Sequence, residues 1–522
     1  MKRRIACVVL FSTVTLAVFA ADAPQQPEFQ RAGWNAAAKQ RFMHPPVLTY
    51  TSVKDAEKYR CTITFTAPQR EVFSLESTAP EFDLAPIWND LPDIETFQVK
   101  AEALCSDNRA LGVCVSTCIK MASFKGQGLP AKCGYAESAT QAVQWVLEQK
   151  PAAYVDSFPV LIFSAYIRLF CTYAQLYPQS PSAKACVTAA TEYAQSLLKN
   201  TTPSDWVYAN LPLSHLRYEP HGLATDPNVS LAPDQYVLQV SRCAMAGIAY
   251  LRLYAVTQDK TWLDAALRIA ETLQKTQLPE GRWPFRVNPR DGSVVIDYTS
   301  DQAEVILFLD ELIRSHNRDE LKATQKKAVT WMLENPCKTF RWEQQWDDMG
   351  VFPPYKNLDF YGTALFVEYL LRDATPENGY EKMAKVLMNY IDDHFVEWEG
   401  VPTFVEWDYM PNFLEWKGVS NQITPGVREQ YMCYALIDWH GAHYMRACMN
   451  FYAKTKDESW LKKARALADT MTAVQHPAGY YPTWMDGEAK PGEPVKIGYK
   501  DVWPNCTSYV AEILLRLDTF LK

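Results

Sequence analysis

"WLDAALRIAETLQKTQLPEGRWP", residues 262–284, returns later in the chain as "WLKKARALADTMTAVQHPAGYYP", residues 460–482. Set against each other, Trp262 meets Trp460, Ala266 meets Ala464 and Ala270 meets Ala468. The match continues through Thr272/Thr470, Gln277/Gln475, Pro279/Pro477, Gly281/Gly479 and Pro284/Pro482. It also reaches back to Tyr254/Tyr452, Thr257/Thr455 and Asp259/Asp457 without a gap. Each copy reads as the end of one helix, a short turn and a second, amphipathic helix. Leu263, Ala266, Leu267, Ala270 and Leu273 recur at helical spacing, so one face packs inward. A hairpin of this kind cannot bury its face alone, so copies must stack.

The same period runs from about residue 137 to the end of the chain. Helices are predicted at 137–149, 154–177, 181–199, 234–257, 260–276, 299–315, 319–334, 358–373, 376–394, 428–455, 458–474 and 507–521. About six hairpins closed in a circle make a mainly α chain, an (α/α) toroid over residues 130–522; an open superhelix is the alternative stacking. Before it, at 42–124, the period is two. Tyr59, Cys61, Ile63 and Phe65 alternate with polar residues, as do Phe97, Val99, Ala101 and Ala103, which predicts a small β-sandwich. Its opening, "HPPVLTYTSVKDAEKYRCTITF" (44–65), resembles a fibronectin type III-like module. "KGQGLP", 125–130, reads as the linker.

Residues 1–20 read as a signal peptide: three basic residues, then an apolar run ending in small ones. Export to the periplasm or beyond follows as an expectation, and no later segment reads as a membrane span. The formal charge is −8, which argues against a nucleic-acid partner. Twelve of the thirteen cysteines follow the signal, an even number in an exported chain, so disulfides are an expectation, with Cys105, Cys114, Cys118 and Cys133 the likeliest cluster and buried thiols the alternative for Cys171, Cys243 and Cys433. Patterns for a nucleophile elbow, a P-loop and a dinucleotide fold are absent.

In a toroid the long connections share a face with the N-termini of the inner helices, where unpaired N–H groups favour anions. Four connections here, 280–302, 340–362, 396–431 and 478–509, are long and carry Trp283, Trp342, Trp346, Trp398, Trp407, Trp416, Trp484 and Trp503. Long loops in a compact fold are usually functional. Rings on them suit sugar faces, though loops packed on themselves by the same tryptophans are the other reading. Arg282, Arg286 and Arg290, every fourth residue in the first loop, suggest a local anion pocket; pairing with Asp291, Asp297 or Asp301 is the structural alternative. His215 lies in "YANLPLSHLRYEPHG" (208–222) beside Asn210. Glu429 and His440, eleven apart, are expected on one face of the helix at 428–455. His440 and His443 have a spacing that suits a metal, but no HExxH or carboxylate cage accompanies them, so no metal site is expected.

The hairpin phrase "YAVTQDKTWLDAALRIAETLQ" (254–274), the loop "GRWPFRVNPRDGSVVIDYTSDQ" (281–302) and the segment "PGVREQYMCYALIDWH" (425–440) resemble (α/α)-toroid polysaccharide lyases, in particular secreted bacterial glucuronan and polymannuronate (alginate) lyases. The resemblance implies β-elimination on a uronic-acid polysaccharide, an anionic substrate, with no cofactor required and room for a structural calcium ion. Such a reaction needs a carboxylate neutraliser, a base for the C5 proton and an acid for the departing oxygen. The chain offers Arg286 or Arg290, His215 or His440, and Tyr298 for these. Glu429 and Tyr431 would orient them, and Trp283, Asp301, Asn210, Asn357, Glu406 and Trp484 would hold substrate. A glycoside hydrolase using loop carboxylates, a uronate C5-epimerase and a non-catalytic glycan-binding protein are the alternatives.

Overall fold

The computed structural model describes residues 29–36, 41–66, 69–149, 159–214, 237–345, 354–355, 358–399, 423–429, 436–485, 487–488, 496–498 and 502–522. Among these, thirteen α-helices follow a strand-rich amino-terminal part. Six of them, α2 (Pro159–Leu176), α4 (Val240–Thr257), α6 (Ala303–His316), α9 (Tyr361–Asp373), α11 (Asp438–Thr455) and α13 (Pro504–Leu521), pack each on the next. α13 then returns to α2, so the ring is closed and the open superhelix is set aside. An outer helix backs each inner one: α1 (Tyr135–Glu148) on α13, α3 (Ala183–Lys199) on α2, α5 (Lys260–Thr276) on α4, α7 (Lys322–Glu334) on α6, α10 (Tyr380–Phe395) on α9 and α12 (Glu458–Val474) on α11. A short α8 (Pro336–Thr339) follows α7.

The sequence explains the two layers. Inner helices are buried almost all round, as in α4, where Val240 to Leu251 have no exposed side of their own, apart from a stretch of partial exposure further on. Outer helices bury one stripe only. In α5 that stripe is Trp262, Ala265, Ala266, Ile269, Ala270 and Leu273, while Leu263 and Leu267 are half-buried. The inward face is therefore turned from the expected one toward Trp262. Only α2 among the described helices has the length and apolarity of a membrane span, against the expectation of none; it is buried as a wall of the ring.

Both copies of the repeated phrase do the same work. Asp259 and Asp457 cap their helices by accepting from Thr261 N and Ser459 N, at 2.9 Å each. Trp262 stacks on Tyr250 and Trp460 on Phe451, each from the outer helix onto its inner partner. Gln277 Nε2 donates to Gly281 O and Thr324 O, and Gln475 Nε2 to Gly479 O and Ser138 O. These amides tie the end of one outer helix to the start of the next. Gly281 (φ 105°) and Gly479 (φ 107°) lie so close to Lys327 and Gln141 that an added Cβ would sit 2.4 and 2.5 Å from their carbonyl oxygens. In the ring the two copies stand three hairpins apart, on opposite sides.

The amino-terminal part holds a five-stranded sheet in the order β1 (Arg41–Phe42), β7 (Ala110–Lys120), β6 (Glu95–Leu104), β3 (Lys58–Thr66), β4 (Gln69–Ser77). β3 and β6 pair antiparallel with Cys61 opposite Ala101 and Ile63 opposite Val99. These residues are fully buried, as their alternation requires. The covering layer is thinner than a full sandwich: β2 (Val47–Thr49) with β5 (Glu81–Asp83), and a turn carrying Trp88. The eleven described cysteines are all free thiols, Cys105, Cys114, Cys118 and Cys133 among them, contrary to the disulfide expectation. Cys114 and Cys118 lie on one strand, and Cys105 Sγ instead contacts Asp107.

The sheet is docked on the toroid. Arg41 Nη2 donates to Glu397 at 2.8 Å, and Arg428 Nε donates to the same Glu397 oxygen at 2.6 Å, all three buried. Asp393 Oδ1 accepts from Met43 N and His44 N at 2.8 Å. The linker is pinned as well: Gly128 passes where a Cβ would be 2.1 Å from Ala466 O of α12, and Leu129 N donates to Thr470 Oγ1.

Since the two tryptophans have equivalent places, Trp262→Ala and Trp460→Ala should each lower stability by about 3–5 kcal/mol, measured as urea midpoints. A loss confined to one copy would contradict their equivalence.

Candidate active site

The N-termini of the six inner helices meet on one face, the mouth of the ring. Short strands bring the loops there. β8 (Leu238–Gln239), which leads into α4, pairs with β9 (Arg286–Val287), and β9 with β10 (Val294–Ile296). β11 (Val396–Glu397) pairs with β12 (Gly426–Val427), and single bridges join Arg428 to Leu436 and Ile437 to Trp484 just before α11.

Three couples link the starts of four neighbouring inner helices. Ser241 Oγ on α4 donates to Asp301 Oδ2 at 2.9 Å, just ahead of α6. The Tyr361 hydroxyl on α9 donates to Glu304 on α6. Asp359, ahead of α9, lies 3.6 Å from His440 Nε2 on α11. All are buried. Asp359 also accepts from Tyr361 N at 2.8 Å, a capping arrangement at the start of α9. Arg242 lies over the Tyr361 ring at 5.6 Å and donates to Gln345 O at 2.9 Å.

Burial pushes the Asp301 carboxyl up to about 7, with Arg242 opposing and the charge of Glu304 adding to it. Among the described residues its Oδ1 has no hydrogen-bond partner. Asp438, in the first turn of α11, is likewise raised well above the usual carboxylate range by burial, and its Oδ2 has no hydrogen-bond partner among the described residues. Buried carboxyl oxygens left open at a mouth are an unusual expense in a structure that satisfies most polar groups. They are the kind of group that substrate or a transferred proton completes.

Below the mouth, Tyr361, Trp439, His443 and Tyr509 pack edge and face together. Burial holds the His443 imidazole well below its ordinary pKa, with Arg446 and His440 adding to the effect, so it is neutral. Deeper still, Arg168 pairs with Glu512 at 3.2 Å and Arg446 with Glu368 at 2.7 Å, closing the axis as a floor.

The sequence candidates fall in several places. Asp301 and His440 are at the mouth. Arg286 is buried beside the start of α4, its backbone paired with Gln239. Trp484, half-buried, bridges Ile437 just before α11. Arg290 is exposed on the rim, and its carbonyl accepts from Val207 N in the loop that holds Asn210. Arg282 chelates Asp297, both contacts 2.9 Å, as the structural alternative had it. Trp283 is fully buried with its Nε1 donating to Leu273 O, so it is packing and offers no sugar platform; Trp342 and Trp398 are buried too. The Tyr298 hydroxyl donates to Arg341 O at 2.5 Å and its ring meets Trp331 of the outer helix α7, which turns it away from the mouth couples. Glu429 does not share a helix face with His440: α11 begins at Asp438, and Glu429 follows strand β12, near Cys506. The helix predicted from 428 starts ten residues late because β12 and its bridges use the backbone of 426–428 and 436–437. His215, Asn357, Glu406 and Tyr431 lie outside the described residues.

Glu304, Asp359, Tyr361, Asp438, Ser241 and Arg242 were missed as candidates. The available signal was position: each stands within three residues of the start of an inner helix. Asp and Ser at such positions read equally well as helix caps, which hid them.

No known family model matches the chain, and no curated protein does. In structure it is similar to a family 76 glycoside hydrolase from a bovine Bacteroides thetaiotaomicron strain, with TM-score 0.49 and 10% identity over 95% of this chain and 99% of that one. It is also similar to the cellobiose 2-epimerase from Spirochaeta thermophila (TM-score 0.47, 14% identity, 74% and 97% covered). A polysaccharide lyase gives TM-score 0.43 and 10% identity over 94% of this chain and 64% of that one. Likenesses this distant leave the reaction to the side chains.

Asp301 gives a stability test with a definite sign. Its folded pKa of about 7 lies above the ordinary value, so its proton stabilises the fold at low pH and that stability is lost as pH rises through about 7. Between pH 4.5 and 8, Asp301→Asn should remove on the order of 2–4 kcal/mol of pH-dependent destabilisation seen in the parent protein. Equal pH slopes in urea titrations would contradict the raised carboxyl.

Proposed function

We propose that the protein is a carbohydrate-active enzyme that cleaves a uronic-acid polysaccharide by β-elimination at the mouth of the ring. The observation that carries acid–base chemistry is the Asp301 carboxyl, buried, raised to about 7 and open at one oxygen. In this reading the uronate carboxylate is drawn to the side of the mouth where Arg286 and Arg242 lie, which makes the C5 proton easier to remove. His440, its Nε2 turned to Asp359, takes that proton on Nδ1. The electron pair forms the C4–C5 double bond, the C4–O4 bond breaks, and protonated Asp301 gives its proton to the departing oxygen. Tyr361, tied to Glu304, stands beside both as a further hydroxyl. Tyr298 is replaced in the acid's part because its hydroxyl is engaged with Arg341.

Hydrolysis is the second reading. It is favoured by the electrostatic coupling of Asp301 to Asp359, one carboxyl protonated near neutrality beside another.

Purified protein should be incubated with glucuronan, alginate, pectate and glycosaminoglycans while ultraviolet absorbance and reducing ends are recorded together. Elimination raises both on one polymer. The rate should fall as pH passes about 7, and Asp301→Asn or His440→Ala should lower kcat about 10²–10⁴-fold. Reducing ends without absorbance would replace elimination by hydrolysis, and neither signal on any polymer would overturn the enzyme reading.

A further inference from the structure

A groove of about 890 Å³ opens on the face opposite the mouth, between the hairpins α9–α10 and α11–α12. Phe451 and Trp460 form its floor, and Lys382, Lys385 and Lys454 line it. α11 has 18 residues, so this groove lies about 27 Å along the helix from Asp438 and the mouth.

The internal repeat supplies a control within one chain. What folds the hairpin is the same in both copies: Tyr254/Tyr452, Asp259/Asp457, Trp262/Trp460. Yet Val256, Gln258, Asp264 and Ala265 of the first copy are Lys454, Lys456, Lys462 and Lys463 in the second. Helix packing does not need these lysines, since the first copy packs without them. Of these, Lys454 lines the groove and Lys463 lies against its Trp460, in a chain whose formal charge is −8.

The charges are also incompletely met. Lys463 is paired with Asp392 at 2.6 Å, and Lys454 Nζ donates to Ala374 O at 2.9 Å. Lys382 and Lys385, both exposed, form no ion pair among the described residues. Lys385 and Lys463 crowd the Trp460 ring at 4.4 and 4.6 Å. Partial desolvation of its ammonium against Trp460, then repulsion from Lys463, lowers the Lys385 pKa, with Asp392 and Asp457 opposing. Two carboxylates, Glu381 and Asp457, line the groove against three lysines, and Asp457 also caps its helix by accepting from Ser459 N. An incoming anion would relieve the crowding.

We propose that this groove is a second, non-catalytic binding site for an acidic polysaccharide chain, holding carboxylates of the polymer away from the mouth. The choice of polymer rests on the function proposed above. Lysines suit the task because a compact charge on a flexible stem accepts a carboxylate in many orientations, so a chain is retained without being fixed in register.

The test compares the Asp301→Asn protein with the same protein carrying Lys382→Ala, Lys385→Ala and Lys454→Ala. Binding of long polyglucuronate and polymannuronate is measured by calorimetry at two salt concentrations. The lysine variant should bind about tenfold more weakly at low salt, and the difference should shrink at high salt. A Lys→Arg triple, which keeps the charge, should bind like the parent. In otherwise unaltered protein the alanine triple should raise KM on long polymer and leave kcat, and KM on a trisaccharide, as they were. Lysine-dependent binding without cleavage would sink the reaction and keep the groove. Cleavage with unchanged affinity and KM in the alanine triple would sink the groove and keep the reaction.

Discussion

The closure of the inner ring is the constraint from which the rest follows. Six helices that are buried nearly all round find their stable state between two inner neighbours and an outer cover. Closure demands that the carboxy-terminal α13 find both α2 and the amino-terminal α1. Once it does, inner helices that all run the same way present their N-termini together, and whatever polar side chains stand at those positions become one cluster. The mouth is thus a product of packing before it is a product of chemistry.

Within that cluster, burial acts twice. It raises Asp301 and Asp438, and it makes each cross-helix couple stronger than it would be in water. Ser241–Asp301, Tyr361–Glu304 and Asp359–His440 each span two helices, so a change in the packing of one helix shifts an acid or a base on its neighbour. The Arg168–Glu512 and Arg446–Glu368 pairs below contribute differently. Buried ion pairs often add little net stability, but they leave few alternative registers for the helices that carry them.

The fold was largely legible in the sequence. Repetition and a 3.6-residue period placed the helices, several to within a few residues, because the inner/outer alternation is written in the apolar pattern. Two features were not. The start of α11 was set by strand pairing between segments far apart in the chain, which no local period reports. The thinner second layer of the amino-terminal sheet depends on β2 and β5, three residues each, too short for alternation to show. For the site, Asp301 and His440 were legible as titratable residues near loops, whereas Glu304, Asp359 and Asp438 resembled helix caps. Trp283 and Tyr298 looked available because sequence does not report which loop aromatics are consumed in fastening the loop.

The seam between Arg41 and Glu397 joins residues 356 positions apart, and Ser138 is joined to Gln475 across 337. Contacts of such separation come late in folding, since the intervening loop must close before they are gained. During synthesis the amino end emerges first, so Arg41 waits without its carboxylate while most of the ring is still being made. The sheet it belongs to therefore has to persist as an undocked body, carried by its own buried core of Cys61, Ile63, Val99 and Ala101, until the tenth and eleventh helices give it a surface to settle on.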